Sequence, residues 1–398
     1  MIKRLELTNF RNYISLSLDL PPGLIILQGD NAQGKTNFLE AIYLLATTRS
    51  PFSKTDQEFV NWLAQDSPLP FAKIAGVIEG QDGSTRIELV IAGEPSPSGV
   101  RYRKKAFING VPKRLIDILG RLCCVLFSPS DIEIVSGPPE GRRRFLDIAL
   151  CQVDSKYCQA LALYNKVVER RNHLLKRAQE EGFNEEEFLF WDESLVKYGS
   201  IVTKTRWEAL ETMAPEVRKT HMALTEAEES LQVLYICSAL GEVISDPGLA
   251  NPPSLEEIEK AMAQRLAQAR SKDLDQGVTT IGPHRDDVRF LLNGRDISTY
   301  GSRGQQRSAA FSLRLAEMTF IEKASGESPL LLLDEVLSEL DQKRRERLTE
   351  IVSQAPQAII TTLEWGGFRK EFLAKAHLFT VTQGNVRAVS LSSIPTAA

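Results

Sequence analysis

The segment Gly29-Asp30-Asn31-Ala32-Gln33-Gly34-Lys35-Thr36 constrains this chain more than any other stretch of it. It matches G-x-x-x-x-G-K-[ST] at every position. It follows Leu24-Ile25-Ile26-Leu27, a continuous apolar run that suits a strand buried on both faces. It precedes residues patterned as a helix from Gly34 through Ala46. The glycines let backbone N–H groups turn inward around phosphate oxygens, and the following helix presents its positive end to them. Lys35 is placed to reach the β- and γ-phosphates, and Thr36 to offer a hydroxyl to Mg²⁺. The whole loop from Gly29 to Thr36 is therefore expected to hold ATP with Mg²⁺.

A second apolar run supports this reading. Leu330-Leu331-Leu332-Leu333 ends in Asp334-Glu335. A buried strand that delivers an acid at its C-terminal edge is how P-loop proteins place the Mg²⁺-side carboxylate. Asp334 is expected beside the metal with Thr36. Glu335 is expected to act as general base on the attacking water, with Lys35 as the other catalytic group.

The two runs lie near opposite ends of a 398-residue chain, so the α/β part has to be assembled from both ends. Short strand patterns with turns fill residues 1–125, including alternations at Lys73–Ile78 and Arg86–Ile91; Gly93–Gly99 reads as a loop. Residues 126–275 read as a helical arm. Tyr157, Leu161, Tyr164, Val168 and Leu175 form one apolar stripe, and Phe188, Trp191, Leu195 and Val202 form another. Pro215 and the stretch from Ser245 to Pro253 interrupt the pattern, and Leu255–Arg270 is a further helix with Ser254 and Glu257 at its start. Residues 276–398 return to α/β character. The expected architecture is an α/β P-loop head built from both chain ends, with a helical insertion.

Bulk properties narrow the setting. No apolar stretch approaches the ~20 residues of a membrane span. Five cysteines without framework spacing suit reduced thiols in the cytoplasm. Net charge is −4, so any nucleic-acid contact needs a local basic patch. One such patch contains Arg101, Arg103, Lys104, Lys105, Lys113, Arg114 and Arg121 against the single acid Asp117, and another is Arg142-Arg143-Arg144. Arg103, Lys104, Lys105, Arg142 and Arg143 are the candidate DNA contacts, made to the phosphate backbone. Each cluster equally suits a solvated strand face or a helix-start ion network.

Between the P-loop and the acid pair lies Gly301-Ser302-Arg303-Gly304-Gln305-Gln306-Arg307, at the start of an amphipathic helix; after the pair comes Ser338-Glu339-Leu340-Asp341. These segments resemble the signature motif and D-loop of ABC-type ATPases. That resemblance implies a homodimer in which Ser302, Gly304, Gln305 and Asp341 of one copy close on the nucleotide of the other. More of the chain resembles the RecF family: Leu7-Thr8-Asn9-Phe10-Arg11-Asn12-Tyr13, Phe127-Ser128-Pro129, Gly141 to Asp147, Tyr164-Asn165, Arg170-Arg171-Asn172 and Gly282-Pro283-His284-Arg285-Asp286-Asp287. The resemblance implies that Arg11 touches nucleotide. It also implies DNA binding at single-strand gaps and RecA loading with RecO and RecR in repair, replication restart and the SOS response.

The chain departs from the wider ABC pattern in two places. Thr361-Thr362 stands where transporter ATPases carry a switch histidine, leaving Thr361 or Thr362 to sense the γ-phosphate, and no glutamine follows the strand Cys123–Phe127, leaving Ser128 or Asp131 as stand-ins. Both departures favour a slow ATPase that acts as a switch. His284 has no nucleophile in view and is read as structural or nucleotide-proximal. An SMC-like chromosome protein would need a long heptad insertion. A transporter ATPase would need a membrane partner, and a small-molecule kinase would leave the Ser302 segment without a purpose.

Overall fold

The computed structural model describes the chain except residues 81–82, 98, 183, 227, 242, 246–251, 341 and 395–398, and gives only the backbone of 243–245, 338–339 and 343. Contacts divide the chain into two compact units, Met1–Pro129 with Ile321–Ala398, and Ser130–Phe320.

The first unit contains two six-stranded sheets. One has the order Asn385–Val389, Ala376–Thr382, Gly23–Gln28, Gln357–Thr362, Leu330–Asp334, Cys124–Phe127. Every neighbouring pair is parallel except the antiparallel edge strand Asn385–Val389. Strands buried on both faces have no reason to alternate, which explains the continuous runs Leu24–Leu27 and Leu330–Leu333. The four leucines are at most 4% exposed, worth on the order of 8 kcal/mol of apolar transfer together. The other sheet is antiparallel: Tyr13–Asp19, Ile2–Phe10, Phe71–Gly80, Gly83–Ser96, Gly99–Ile108, Val111–Lys113. The helix Lys35–Thr47 packs against strands of both sheets. Its residues Phe38 to Thr47 are all buried, and all but Glu40 and Thr47 are apolar.

The expected loop at Gly93–Gly99 is corrected. Gly83–Ser96 and Gly99–Ile108 pair up to Ser96↔Gly99. The neighbouring strand's pairing on the other side stops at Phe71↔Ala92, so Pro95 sits where no ladder N–H is required on that side.

The second unit is built on the helices Pro139–Val153, Ser155–Glu181, Glu185–Leu224 and Leu255–Gln276. Tyr157, Leu161, Tyr164, Leu175, Phe188, Leu195 and Val202 are buried on the expected stripes, whereas Val167 is buried in place of Val168 and Trp191 is half-buried. Ser254 and Glu257 form the expected capping box. Pro215 does not end its helix, which runs on for 40 residues from Glu185 to Leu224. The proline is exposed, so its ring packs against nothing that would force the helix to end there. Pro247 lies outside the described residues.

The arm is also not purely helical. Leu231–Cys237 is a strand, with burial alternating along its length, and it pairs with Asp287–Leu292. That pairing groups residues 276–320 with the arm; the contact division falls inside the helix Arg303–Ser325.

Candidate nucleotide site

The strand Gly23–Gln28 delivers the loop, and the buried helix Lys35–Thr47 fixes its far end. Gly34 has φ +117°, and a Cβ there would lie 2.6 Å from the Asn12 amide. No side chain but hydrogen fits. A Cβ on Gly29 would strike the carbonyl of Val381. Asp30, Asn31 and Ala32 are exposed at the tip. Gln33 is tied down: its carbonyl accepts from Asn12 Nδ2 at 2.9 Å and from the Gly384 N–H at 3.0 Å, and its Oε1 accepts from the Gln383 N–H at 2.7 Å. Tyr13 donates its hydroxyl to the Gly34 carbonyl at 2.9 Å.

Lys35 is 3% exposed. Its ammonium donates to the carbonyls of Gly29 at 2.6 Å and Asp30 at 2.9 Å, and pairs with Glu335 at 2.9 Å. The Thr36 hydroxyl lies 2.9 and 3.0 Å from the two oxygens of Asp334. Burial pushes the Asp334 carboxyl above its ordinary range, against the stabilising hydroxyls of Thr361 and Thr36. A threonine hydroxyl and one carboxylate are hard oxygen donors of the kind Mg²⁺ takes when substrate phosphates complete its shell. The residues present therefore fit that ion. Glu335 holds a left-handed backbone, φ +54°.

Thr361 is central to this arrangement. Its Oγ1 lies 2.9 Å from Asp334 Oδ1 and 3.0 Å from the Glu335 N–H. Thr362 instead donates to the Glu364 carbonyl at 2.9 Å. Sequence reasoning missed Asn12, Tyr13 and the 383–384 turn altogether, because nothing in their residue types announces contact with the loop.

Arg11 is not at the loop. Its guanidinium grips buried Glu40 at 2.8 and 2.9 Å, bonds Ser53, and lies 5.5 Å over the Phe59 ring. In this structure that ion pair holds the guanidinium of Arg11, and its neighbour Asn12 touches the loop.

Ser302, Gly304 and Gln305 belong to the second unit. Ser302 and Gly304 are exposed at the start of the helix Arg303–Ser325. Ser302 and Gln305 cap each other, at 2.8 and 3.3 Å, and Gln305 Nε2 also donates to Glu229 at 2.8 Å. Asp341 lies outside the described residues. Asp131 accepts from Arg314 at 2.7 Å, which occupies one of the two stand-ins for the missing glutamine.

The basic clusters separate on inspection. Along Gly99–Ile108, Arg101, Arg103 and Lys105 are exposed on one face, where Lys105 pairs with Glu94 at 2.8 Å. Lys104 points the other way, to Asp56 at 2.8 Å and 5.0 Å over the Phe59 ring. Lys104 is thus corrected as a DNA contact: strand alternation puts it on the opposite face. Arg142 is corrected too, because it is buried in an ion pair. Arg142 is 8% exposed and grips Asp287 at 2.7 and 3.0 Å. Arg143 donates to the Asp286 carbonyl at 2.7 Å. Both serve the Gly282–Asp287 segment, whose Asp286 accepts from Tyr235 at 2.6 Å and from Ser238 at 2.8 and 2.9 Å. His284 bridges Tyr164 at 2.5 Å and the Thr279 carbonyl at 2.9 Å. This is a structural knot in the second unit, built from buried polar groups.

Comparison with known proteins decides the family. Residues 1–386 match the model described as RecF/RecN/SMC N terminal domain. A DNA replication and repair protein RecF of Symbiobacterium thermophilum (strain DSM 24528 / JCM 14929 / IAM 14863 / T) is 40% identical over 388 residues, covering 97% of each chain. The chain belongs to the RecF family. A RecF of Lysinibacillus sphaericus (strain C3-41) is 36% identical over 387 residues, 97% of this chain and 99% of the relative. A solved structure of the recombination mediator protein RecF with ATP, from the RecFOR pathway, superposes with a TM-score of 0.85 at 32% identity, over 98% of this chain and 97% of that one. A solved SMC head, at 15% identity and a TM-score of 0.50, shares the fold alone. This RecF-family chain therefore carries the ABC-type ATPase head fold expected from its motifs. No described helix is long and apolar enough to cross a membrane.

Proposed function

We propose that this chain is an ATP-dependent recombination mediator, in which ATP with Mg²⁺ joins two copies over DNA and slow hydrolysis releases them. The observation that carries the reading is the convergence of Lys35, Thr36, Asp334 and Glu335 at one point from opposite ends of the chain. Lys35 holds the β- and γ-phosphates by exchanging its present acceptors, two loop carbonyls and Glu335, for phosphate oxygens. Thr36 and Asp334 would hold Mg²⁺, which would neutralise phosphate charge. Glu335 takes the proton of the attacking water.

Exposed Ser302 and Gly304 at a helix start suit an anion presented by a second copy. DNA is met through its backbone by the Arg101–Arg103–Lys105 face, and RecO and RecR are the partners implied by RecF relatives of the RecFOR pathway. Sedimentation with and without ATP tests the reading, with Lys35→Arg as control. ATP is expected to drive dimerisation of the parent chain only. A parent that stays monomeric in saturating ATP removes the paired site, and turnover of many per second without DNA removes the switch.

A further inference from the structure

We infer that Thr361 is a positioning residue that sets the metal-side carboxylate and the catalytic base together through one hydroxyl. The inference rests on the ATP reading above and adds a residue to it.

Thr361 is 1% exposed and stands in direct parallel register with Asp334. Its hydroxyl has one proton and two lone pairs. Carbonyls and carboxylates can only accept, and a backbone N–H can only donate, so the roles are fixed by the neighbours. The Glu335 N–H donates to Thr361 Oγ1 at 3.0 Å. The hydroxyl proton goes to Asp334 Oδ1 at 2.9 Å, in preference to the Leu333 carbonyl at 3.3 Å. A charged acceptor at the shorter distance wins.

Two consequences follow for the acids. Asp334 Oδ1 is held by two hydroxyls, those of Thr36 and Thr361, so only Thr361 keeps it in place when Thr36 turns to a metal ion. Glu335 sits at φ +54°, a backbone conformation that is unfavourable for a non-glycine residue and persists only when its surroundings hold it. The Thr361 oxygen bonds that residue's own N–H. The side chain acts on nucleotide only through Asp334 and Glu335, which makes its effect separable from binding. Thr362, one residue on, turns its hydroxyl to Glu364 and offers an internal control.

The test uses the full chain with Thr361→Val, which keeps the shape and removes the hydroxyl, and Thr361→Ser, which restores it. Fluorescent-ATP binding is measured in EDTA and over a Mg²⁺ titration, alongside steady-state hydrolysis. Thr361→Val is expected to bind as the parent does in EDTA, to lose about tenfold in its Mg²⁺-dependent gain of affinity, and to lose about tenfold or more in kcat with little change in KM. Thr361→Ser should recover most of both, and Thr362→Val neither loss. If valine does not give folded chain, Thr361→Ala replaces it. A valine or alanine variant with parental Mg²⁺ response and kcat overturns the inference and leaves the ATP reading standing. Serine failing as fully as valine overturns it as well. A parent chain that shows no Mg²⁺-dependent ATP binding overturns the ATP reading itself, and this inference with it.

Discussion

The hydroxyl of Thr36 lies 2.9 Å from the carboxylate of Asp334 across 298 residues of chain. Neither residue is unusual alone. The parallel sheet joins them because the strand before the P-loop and the strand before the acids flank Gln357–Thr362. Burial holds Asp334 where an isolated carboxylate would rather be neutral, and the hydroxyls of Thr361 and Thr36 work against that cost.

That tension sets a first prediction. Burial raises the folded-state pKa of Asp334 above its ordinary 3.8. Ionisation therefore costs stability once the pH passes the unfolded value, and the cost levels off above the folded one. Asp334→Asn should raise Tm at pH 7, by a gap that closes as the pH falls below the ordinary carboxylate value. The same variant should lose Mg²⁺-dependent nucleotide binding. Melting curves at pH 4 and pH 7 check the first claim, and a Mg²⁺ titration the second.

On the basic strand, exposure divides the phenotypes. Arg103→Ala and Lys105→Ala should each weaken DNA binding and lower the salt slope by about 1, since each removes one phosphate contact. Lys104→Ala should leave the slope alone and destabilise the fold by about 1 kcal/mol, through loss of the Asp56 pair and the Phe59 ring contact. Affinities measured across a salt series distinguish the two. An unchanged slope for Arg103→Ala and Lys105→Ala rules this face out.

Arg142→Ala should behave as a folding variant. It strands Asp287 in a site where both partners are largely buried, a loss of about 3 kcal/mol. Denaturant unfolding should report that loss, while the salt slope for DNA stays at the parental value.

The imidazole of His284 gives a pH signature. The Thr279 carbonyl can only accept, so Nε2 carries the proton and Nδ1 accepts from Tyr164. Burial, aided by the charges of Arg285, Arg143 and Arg206, lowers its pKa from 6.5 to about 4. A histidine kept neutral contributes stability that is complete above the unfolded value and drains away as pH falls through the folded one. Stability should drop between about pH 6.5 and 4, and His284→Asn should flatten that slope.

The phosphate loop, the acid strand and the signature helix start were legible because each needs particular residue types at fixed spacing. The parity of Arg101, Arg103 and Lys105 was also on view; reading it would have set Lys104 aside. The strand Leu231–Cys237 carried an alternating pattern that the surrounding helical stripes obscured. Thr361 was different. The sequence marked Thr361 and Thr362 only as the pair standing in the switch-histidine position; that Thr361 is the one beside Asp334 follows from the sheet order, which comes from packing between distant segments. Arg142 was misread for the same reason, because Asp287 lies 145 residues away.

The sheet that holds the phosphate loop has a consequence for synthesis on the ribosome. The strand Gly23–Gln28 has as its two neighbours Gln357–Thr362 and Ala376–Thr382. At about 5 to 20 residues per second, the loop waits roughly 20 to 70 seconds for them to be made. Through that interval the nascent chain carries the phosphate-binding residues without the sheet that shapes them. A chain released early therefore cannot compete for nucleotide, and retention on ATP resin should separate finished molecules from those stalled before residue 357.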